Sequence, residues 1–105
     1  MTTAEFHILL ALSAEIRHGL GIAQSVDGTT DGDIRLGPGT LYRSLKHLVD
    51  AGWIAEAEAP SGQEDPRRRF YSITGEGRER LSEEAHKFAK WVQVARDNDV
   101  LPDPI

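Results

Sequence analysis

Leu36-Gly37-Pro38-Gly39-Thr40-Leu41-Tyr42-Arg43-Ser44-Leu45-Lys46-His47-Leu48 is the stretch on which the fold turns. Pro38 suits the first position of a helix, where its missing amide would have no intrahelical partner and its fixed φ is already helical. Leu41, Leu45 and Leu48 then recur at helical spacing, flanked by Tyr42 and Val49, and Gly52 closes the segment. The apolar stripe faces a core. The remaining surface offers Gly39, Thr40, Arg43, Lys46 and His47 near the start and middle of the helix.

Working outward, Thr2 and Glu5 form a capping box ahead of Phe6, Ile8, Leu9, Leu10 and Leu12, which predicts a helix over residues 3–13. It is apolar nearly all round, so burial on several sides is expected, with a second chain as one cover. Arg17 to Val26 reads as a second helix stopping at Asp27-Gly28, and Asp33-Ile34-Arg35-Leu36 alternates like a short strand. Downstream, residues 53–58 and 69–73 read as two strands around a loop holding Pro60, Ser61, Gly62 and Pro66. Thr74 is a good N-cap for a last helix reaching about Asn98, beyond which the proline-containing tail is expected to fray. Three helices followed by a β-hairpin give an α+β, mostly α, winged helix-turn-helix over residues 1–74. A C-terminal dimerisation helix over 75–98 and a frayed tail over 99–105 complete the chain.

Composition narrows the function. The 105 residues suffice for one domain, not for an enzyme with a cleft between lobes. With no cysteine, disulfides, thiolate metal sites and thiol catalysis are excluded. The apolar run Ile8 to Leu12 is far too short for a membrane span or an export signal, so the cytoplasm is the expected compartment. The net charge of −5 argues against a nucleic-acid partner, but its distribution does not. Residues 33–75 carry six acids and six bases, and the bases cluster as Arg35, Arg43 and Lys46, then Arg67, Arg68 and Arg69. A local basic face, not the average, decides phosphate contact.

Four strings now act together: Arg17-His18-Gly19-Leu20-Gly21-Ile22-Ala23, the Leu36 to Leu48 segment with its Pro-Gly-Thr-Leu-Tyr core, Gly52-Trp53-Ile54, and Asp65-Pro66-Arg67-Arg68-Arg69-Phe70-Tyr71-Ser72-Ile73-Thr74-Gly75-Glu76-Gly77. In this order the sequence resembles the PadR family of bacterial transcriptional regulators over roughly residues 5–81, in its compact branch with a single C-terminal helix. The resemblance implies a winged-helix homodimer that binds operator DNA and usually represses. Leu20 stands where the family often has tyrosine, and Gly37 where serine is common, which trades a side-chain cap for a slightly weaker glycine cap.

On that footing Pro38, Gly39, Thr40, Tyr42, Arg43, Lys46 and His47 are the expected DNA-facing residues of the recognition helix. Arg43 suits bidentate donation to a guanine, and the amides near Thr40 suit a phosphate; Tyr42 is read mainly as a packing residue. Arg67, Arg68 and Arg69 are assigned to the wing, with Arg67 and Arg69 on one strand face and Arg68 on the other. Leu81, Ala85, Phe88, Val92 and Ala95 are spaced 4, 3, 4, 3 and form a seam for a second helix. A dimer closing on that seam, with Phe6 and Leu9 of the first helix as its receiving surface, predicts an inverted-repeat operator. Trp91, one position off the seam, is the candidate contact for a small aromatic or drug-like effector. No cofactor is expected.

Competing readings are weaker. Asp27, Thr29, Asp31, Gly32 and Asp33 follow the opening of a calcium loop, but Pro38 stands where the bidentate glutamate belongs. His7, His18, His47 and His86 lie at no metal-ligand spacing and beside no activated nucleophile, and His18 reads as a capping or packing residue. The remaining alternative is a winged helix that binds a protein instead of DNA, which the acidic balance favours.

Overall fold

The structure is a computed structural model that describes residues 1–104. Its elements run α1 (Thr3–Ala14), β1 (Arg17–His18), α2 (Gly19–Thr29), α3 (Pro38–Asp50), β2 (Ile54–Ala57), β3 (Phe70–Ile73) and α4 (Gly75–Asp97). This is the expected winged helix-turn-helix with an added C-terminal helix. The three strands form one antiparallel sheet in the order β1-β3-β2, with Ile54 opposite Ile73 and Ala57 opposite Phe70 in the hairpin.

α1 is capped as its sequence dictates: Thr2 Oγ1 accepts from the Glu5 amide at 3.0 Å, and Glu5 Oε1 accepts from the Thr2 amide at 2.9 Å. The helix is central, in contact with α2, α3, β3 and α4. Its all-round apolar character is therefore met largely by its own chain, with Ile8 and Leu9 fully buried and Leu10 the one large apolar side chain of the helix turned outward. Around it pack Ile22 and Val26 of α2, the Leu41-Leu45-Leu48 stripe of α3, Ile54, Tyr71 and Leu81.

Three local expectations are corrected. Arg17 and His18 are not helical but pair as β1 with Tyr71 and Phe70, and α2 starts only after them. That helix runs through Gly28 and stops where the backbone turns left-handed, at Asp31 (φ 50°) and Gly32 (φ 80°). Residues 33–36 form no strand: Ile34 and Leu36 alternate because they rest on the core from an extended loop, held by Thr30 Oγ1, which accepts from the Ile34 amide at 3.1 Å. The sheet's third strand is thus β1.

The junction into α4 is tight. Thr74 Oγ1 accepts from the Gly77 amide at 3.0 Å and donates to Gly52 O at 2.7 Å, while the Thr74 amide donates to Trp53 O at 3.0 Å. Arg80 lies 5.1 Å from the centre of the Trp53 ring. At the far end α4 closes on a turn. Asp99 adopts φ 59°, its amide donates to Arg96 O at 3.0 Å, and the Val100 amide donates to Ala95 O at 2.8 Å, a Schellman stop. Ile105 lies outside the described residues. Among these residues no helix is long and apolar enough to cross a membrane.

Candidate nucleic-acid interface

α3 presents its two sides as the leucine stripe requires. Leu41, Leu45 and Leu48 are buried, and Pro38, Gly39, Thr40, Tyr42, Arg43, Lys46 and His47 are all exposed. Gly37 is the N-cap and contributes no side-chain hydrogen bond, so the free amides of the first turn face outward unclaimed by any cap. Glycine at 37 and 39 also keeps that turn open: a Cβ at Gly37 would meet nothing within 4 Å, and one at Gly39 only the Arg43 Nη2 at 3.9 Å. Lys46 is held by Asp50 at 3.2 Å, one turn on. Arg43 has no carboxylate within ion-pair distance among the described residues. It is the cation of this helix free to meet a ligand.

Tyr42 does not enter the core. Its ring lies across the start of α2, so close that a Cβ on Gly19 would stand 3.1 Å from the hydroxyl oxygen, and the residue stays 58% exposed. Glycine at 19 is what lets the two helices approach there.

The wing arginines precede β3 instead of entering it, so the expected alternation of faces does not apply. Asp65 organises them. Its carboxylate accepts from the Arg67 amide at 2.9 Å, from Arg67 Nε at 3.2 Å and from Arg67 Nη2 at 3.3 Å, and lies 3.8 Å from Arg68 Nε. The hydrogen bonds from Arg67, side chain first, hold the Asp65 carboxyl below its usual range. Arg68 then turns toward β1 and meets His18 Nε2 at 2.6 Å, while Arg69 turns toward β2 and pairs with Glu56 at 3.5 Å. All three nonetheless line one open cleft of about 450 Å³, shared with His18, Tyr42 and the edge of Tyr71.

His18 and Tyr71 were not foreseen in this cleft. His18 caps α2, Nδ1 accepting from the Gly21 amide at 3.0 Å, as its place before Gly19 suggests. Desolvation, then the Arg68 charge, push its pKa down, and burial raises that of Tyr71. What brings both here is the pairing of β1 with β3, and a two-residue strand leaves no periodic signal.

The proposed dimer residues divide. Leu9 is fully buried and Leu81 is 8% exposed, both in the protomer's own core, so neither is available to a partner. Ala85, Phe88 and Val92 lie exposed along α4, and Ala95 is half-buried. Phe6, half-buried, meets Phe88 edge-on at 4.9 Å, and Phe88 meets Trp91 at 5.5 Å. Trp91 is 59% exposed.

With this geometry in hand, the chain matches the model of the transcriptional regulator PadR-like family over residues 8–83. The chain belongs to the PadR-like family. That family is described as one of transcriptional regulators. Solved structures agree on the fold. A PadR family transcription regulator from Clostridium difficile superposes with a TM-score of 0.72 at 19% identity, covering 95% of this chain and all (100%) of that one. A PadR-like transcription factor from Bacteroides fragilis gives 0.70 at 25% identity, covering 92% and 88%. A curated relative, an uncharacterized 37.1 kDa protein in a Streptomyces fradiae transposon, is 33% identical over 87 residues. That match takes in 83% of this PadR-like chain but only 23% of the relative's length.

Proposed function

We propose that this PadR-like regulator is a repressor that binds an inverted-repeat operator as a homodimer, reading bases with the exposed face of α3 and phosphates with the wing. The observation that carries the reading is Arg43: an exposed, unpaired guanidinium on the second turn of α3, beside a first turn kept open by Gly37 and Gly39. Such a cation suits bidentate donation to a guanine, worth about 1–3 kcal/mol of discrimination. The homodimer reading rests on α4. This 23-residue helix buries only Gly77 and Leu81 and leaves Phe88, Val92 and Val94 more than a third exposed. Two such helices packed together would cover these side chains and set two α3 helices in successive major grooves, about 34 Å apart. A flat aromatic effector would stack on Trp91 at the edge of that seam.

The test is fluorescence anisotropy with a duplex from the protein's own upstream region, at two salt concentrations and with competitor DNA. Tight, competitor-resistant binding that falls steeply with salt is expected. Arg43→Ala should relax discrimination at one position per half-site, whereas Arg67→Ala should weaken all sequences alike. Equal losses on every sequence for both variants would refute this division. Weak binding indifferent to salt would refute the operator reading and favour a protein partner.

A further inference from the structure

We propose that His18 and Arg68 form a two-donor clamp for one phosphate of the DNA backbone, which makes His18 a positioning contact of the wing; this rests on the DNA-binding reading above. The reason is a mismatch in the protein alone. A neutral imidazole has one N–H and one lone-pair nitrogen. His18 Nδ1 faces the Gly21 amide at 3.0 Å and Nε2 faces Arg68 Nη1 at 2.6 Å, and both neighbours are donors. Either neutral tautomer satisfies one of them and sets N–H against N–H at the other. The imidazolium form satisfies neither and adds a second positive charge beside the first.

The two neighbours differ in freedom. Gly21 is fixed in the first turn of α2, so its amide keeps its claim on Nδ1, whereas Arg68 sits on a loop with a side chain 46% exposed. The proton therefore belongs on Nε2, set against the Arg68 guanidinium beside the opening that both side chains line. An anionic oxygen there accepts from both and removes the conflict.

The other groups around the ring do not supply that oxygen. Arg17 of β1 is occupied by Ala11 O at 3.0 Å and Glu15 at 3.2 Å. From β3 come the Phe70 ring, edge-on at 5.2 Å, and Tyr71, paired with Arg17. On the wing side Glu64 and Asp65 share a hollow with His18; Asp65 is engaged by Arg67 and reaches only Arg68 Nε, at 3.8 Å, and among the described residues Glu64 makes no ion pair or hydrogen bond with either donor. The opening joins the cleft lined by Arg67, Arg69 and Tyr42 of α3. A ligand phosphate seated there belongs to a strand that also passes α3, which selects the DNA backbone over a free anion.

His18→Asn separates the clamp from the cap. Asparagine is an equally good N-cap and can keep the Gly21 amide, but it lacks a donor at the Nε2 position. Anisotropy on operator and scrambled duplexes should show an affinity loss of about tenfold that is the same for both, since a charge-assisted hydrogen bond to a phosphate reads no sequence. The salt slope should stay unchanged for His18→Asn and fall by about one for Arg68→Gln, which removes a cation. The double variant should be little weaker than Arg68→Gln alone, because the two donors share one oxygen. In the wild-type protein, nitrogen NMR of the DNA complex should show His18 with Nε2 protonated and Nδ1 bare. Wild-type affinity in His18→Asn, with Arg43→Ala still losing operator discrimination, overturns the clamp and leaves the regulator reading standing. So does an Nδ1-protonated ring in the complex. Absence of salt-sensitive DNA binding by the wild-type protein overturns both.

Discussion

Gly77 is the residue whose replacement should do the most damage for the fewest atoms. It lies in the first turn of α4, and a Cβ built on it would overlap the Trp53 carbonyl oxygen, stand 2.9 Å from the carbonyl carbon and 3.0 Å from Ile73 Cγ1. Carbon atoms pack at about 3.5–4.0 Å, so α4 would have to retreat from the start of the hairpin by about 1 Å. The carbonyl in the way is also the one that accepts from the Thr74 amide at 3.0 Å, so the retreat strains the cap of the same helix. Overpacking of this kind costs about 1–3 kcal/mol, and the strained cap adds about 1 kcal/mol. Against this, alanine improves helix propensity by at most about 1 kcal/mol, less in a first turn. The net expectation for Gly77→Ala is a loss of about 2–3 kcal/mol, which for a chain of this size lowers Tm by about 10–20 °C. Gly75 is the control, two residues earlier in the same turn, where a Cβ would meet nothing within 4 Å. Gly75→Ala should be neutral or stabilising by about 0.5 kcal/mol. Thermal melts by circular dichroism at one fixed protein concentration measure both. If Gly77→Ala melted with Gly75→Ala, the close approach of α4 to Trp53 would be wrong.

Other outcomes follow from single residues. Phe88→Glu places a charge in the middle of the exposed α4 face, and light scattering should show half the mass of the wild-type particle; an unchanged mass would remove α4 from the dimer reading. Asp65→Asn keeps the shape of the wing turn but removes the charge that holds Arg67 and faces Arg68. Affinity for random-sequence duplex should rise several-fold at low salt, and no rise would mean that the wing does not touch phosphate. The depressed pKa of His18 makes stability depend on pH in one direction. Between the ordinary histidine value of about 6.5 and the lower folded value, the unfolded chain binds the extra proton. Stability from this group is thus complete above pH about 6.5 and is lost as pH falls toward the folded value. His18→Asn should flatten that part of a melting-temperature profile, and identical profiles would refute the assignment.

Which parts of the molecule could be read from residues alone follows from what leaves a local mark. α3 was legible because Pro38 and the Leu41-Leu45-Leu48 stripe signal start, phase and buried face together. Thr74 marked the start of α4 and the 4, 3, 4, 3 spacing its phase, but of those five seam residues only Leu81 is buried in the chain's own core. The strand β1 was not legible, since two residues have no period and Arg17-His18 become a strand only because β3 arrives beside them. The alternation at Asp33 to Leu36 misled for the opposite reason: Ile34 and Leu36 face inward without any sheet partner. Leu9 shows the limit of an all-round apolar helix, whose pattern says that it is covered but not by which chain. At the candidate interface, the α3 residues were found by helical phase. The arrangement of the wing arginines was not legible, because Arg67 and Arg68 are ordered by the carboxylate of Asp65 and Arg69 by Glu56, and geometry of that kind is set by contacts rather than by spacing.

The ion-paired wing has a consequence for how such a regulator spends its time in a cell. Every phosphate that Arg67 or Arg69 meets must displace a carboxylate that is already there, Asp65 at 3.2 Å or Glu56 at 3.5 Å. On an arbitrary stretch of genome, where α3 finds no matching base edges, that exchange returns little, and the acidic body of the protein is repelled as well. On the proposed reading, base contacts of α3 at a matching site would hold the wing beside the backbone while the exchange is completed. What counts among millions of competing sites is the ratio of specific to non-specific affinity. If the wing does meet phosphate, its carboxylates would weaken sequence-blind contact, leaving the base contacts of α3 as the larger share of what holds the protein on its site, and would shorten its stay on the wrong DNA.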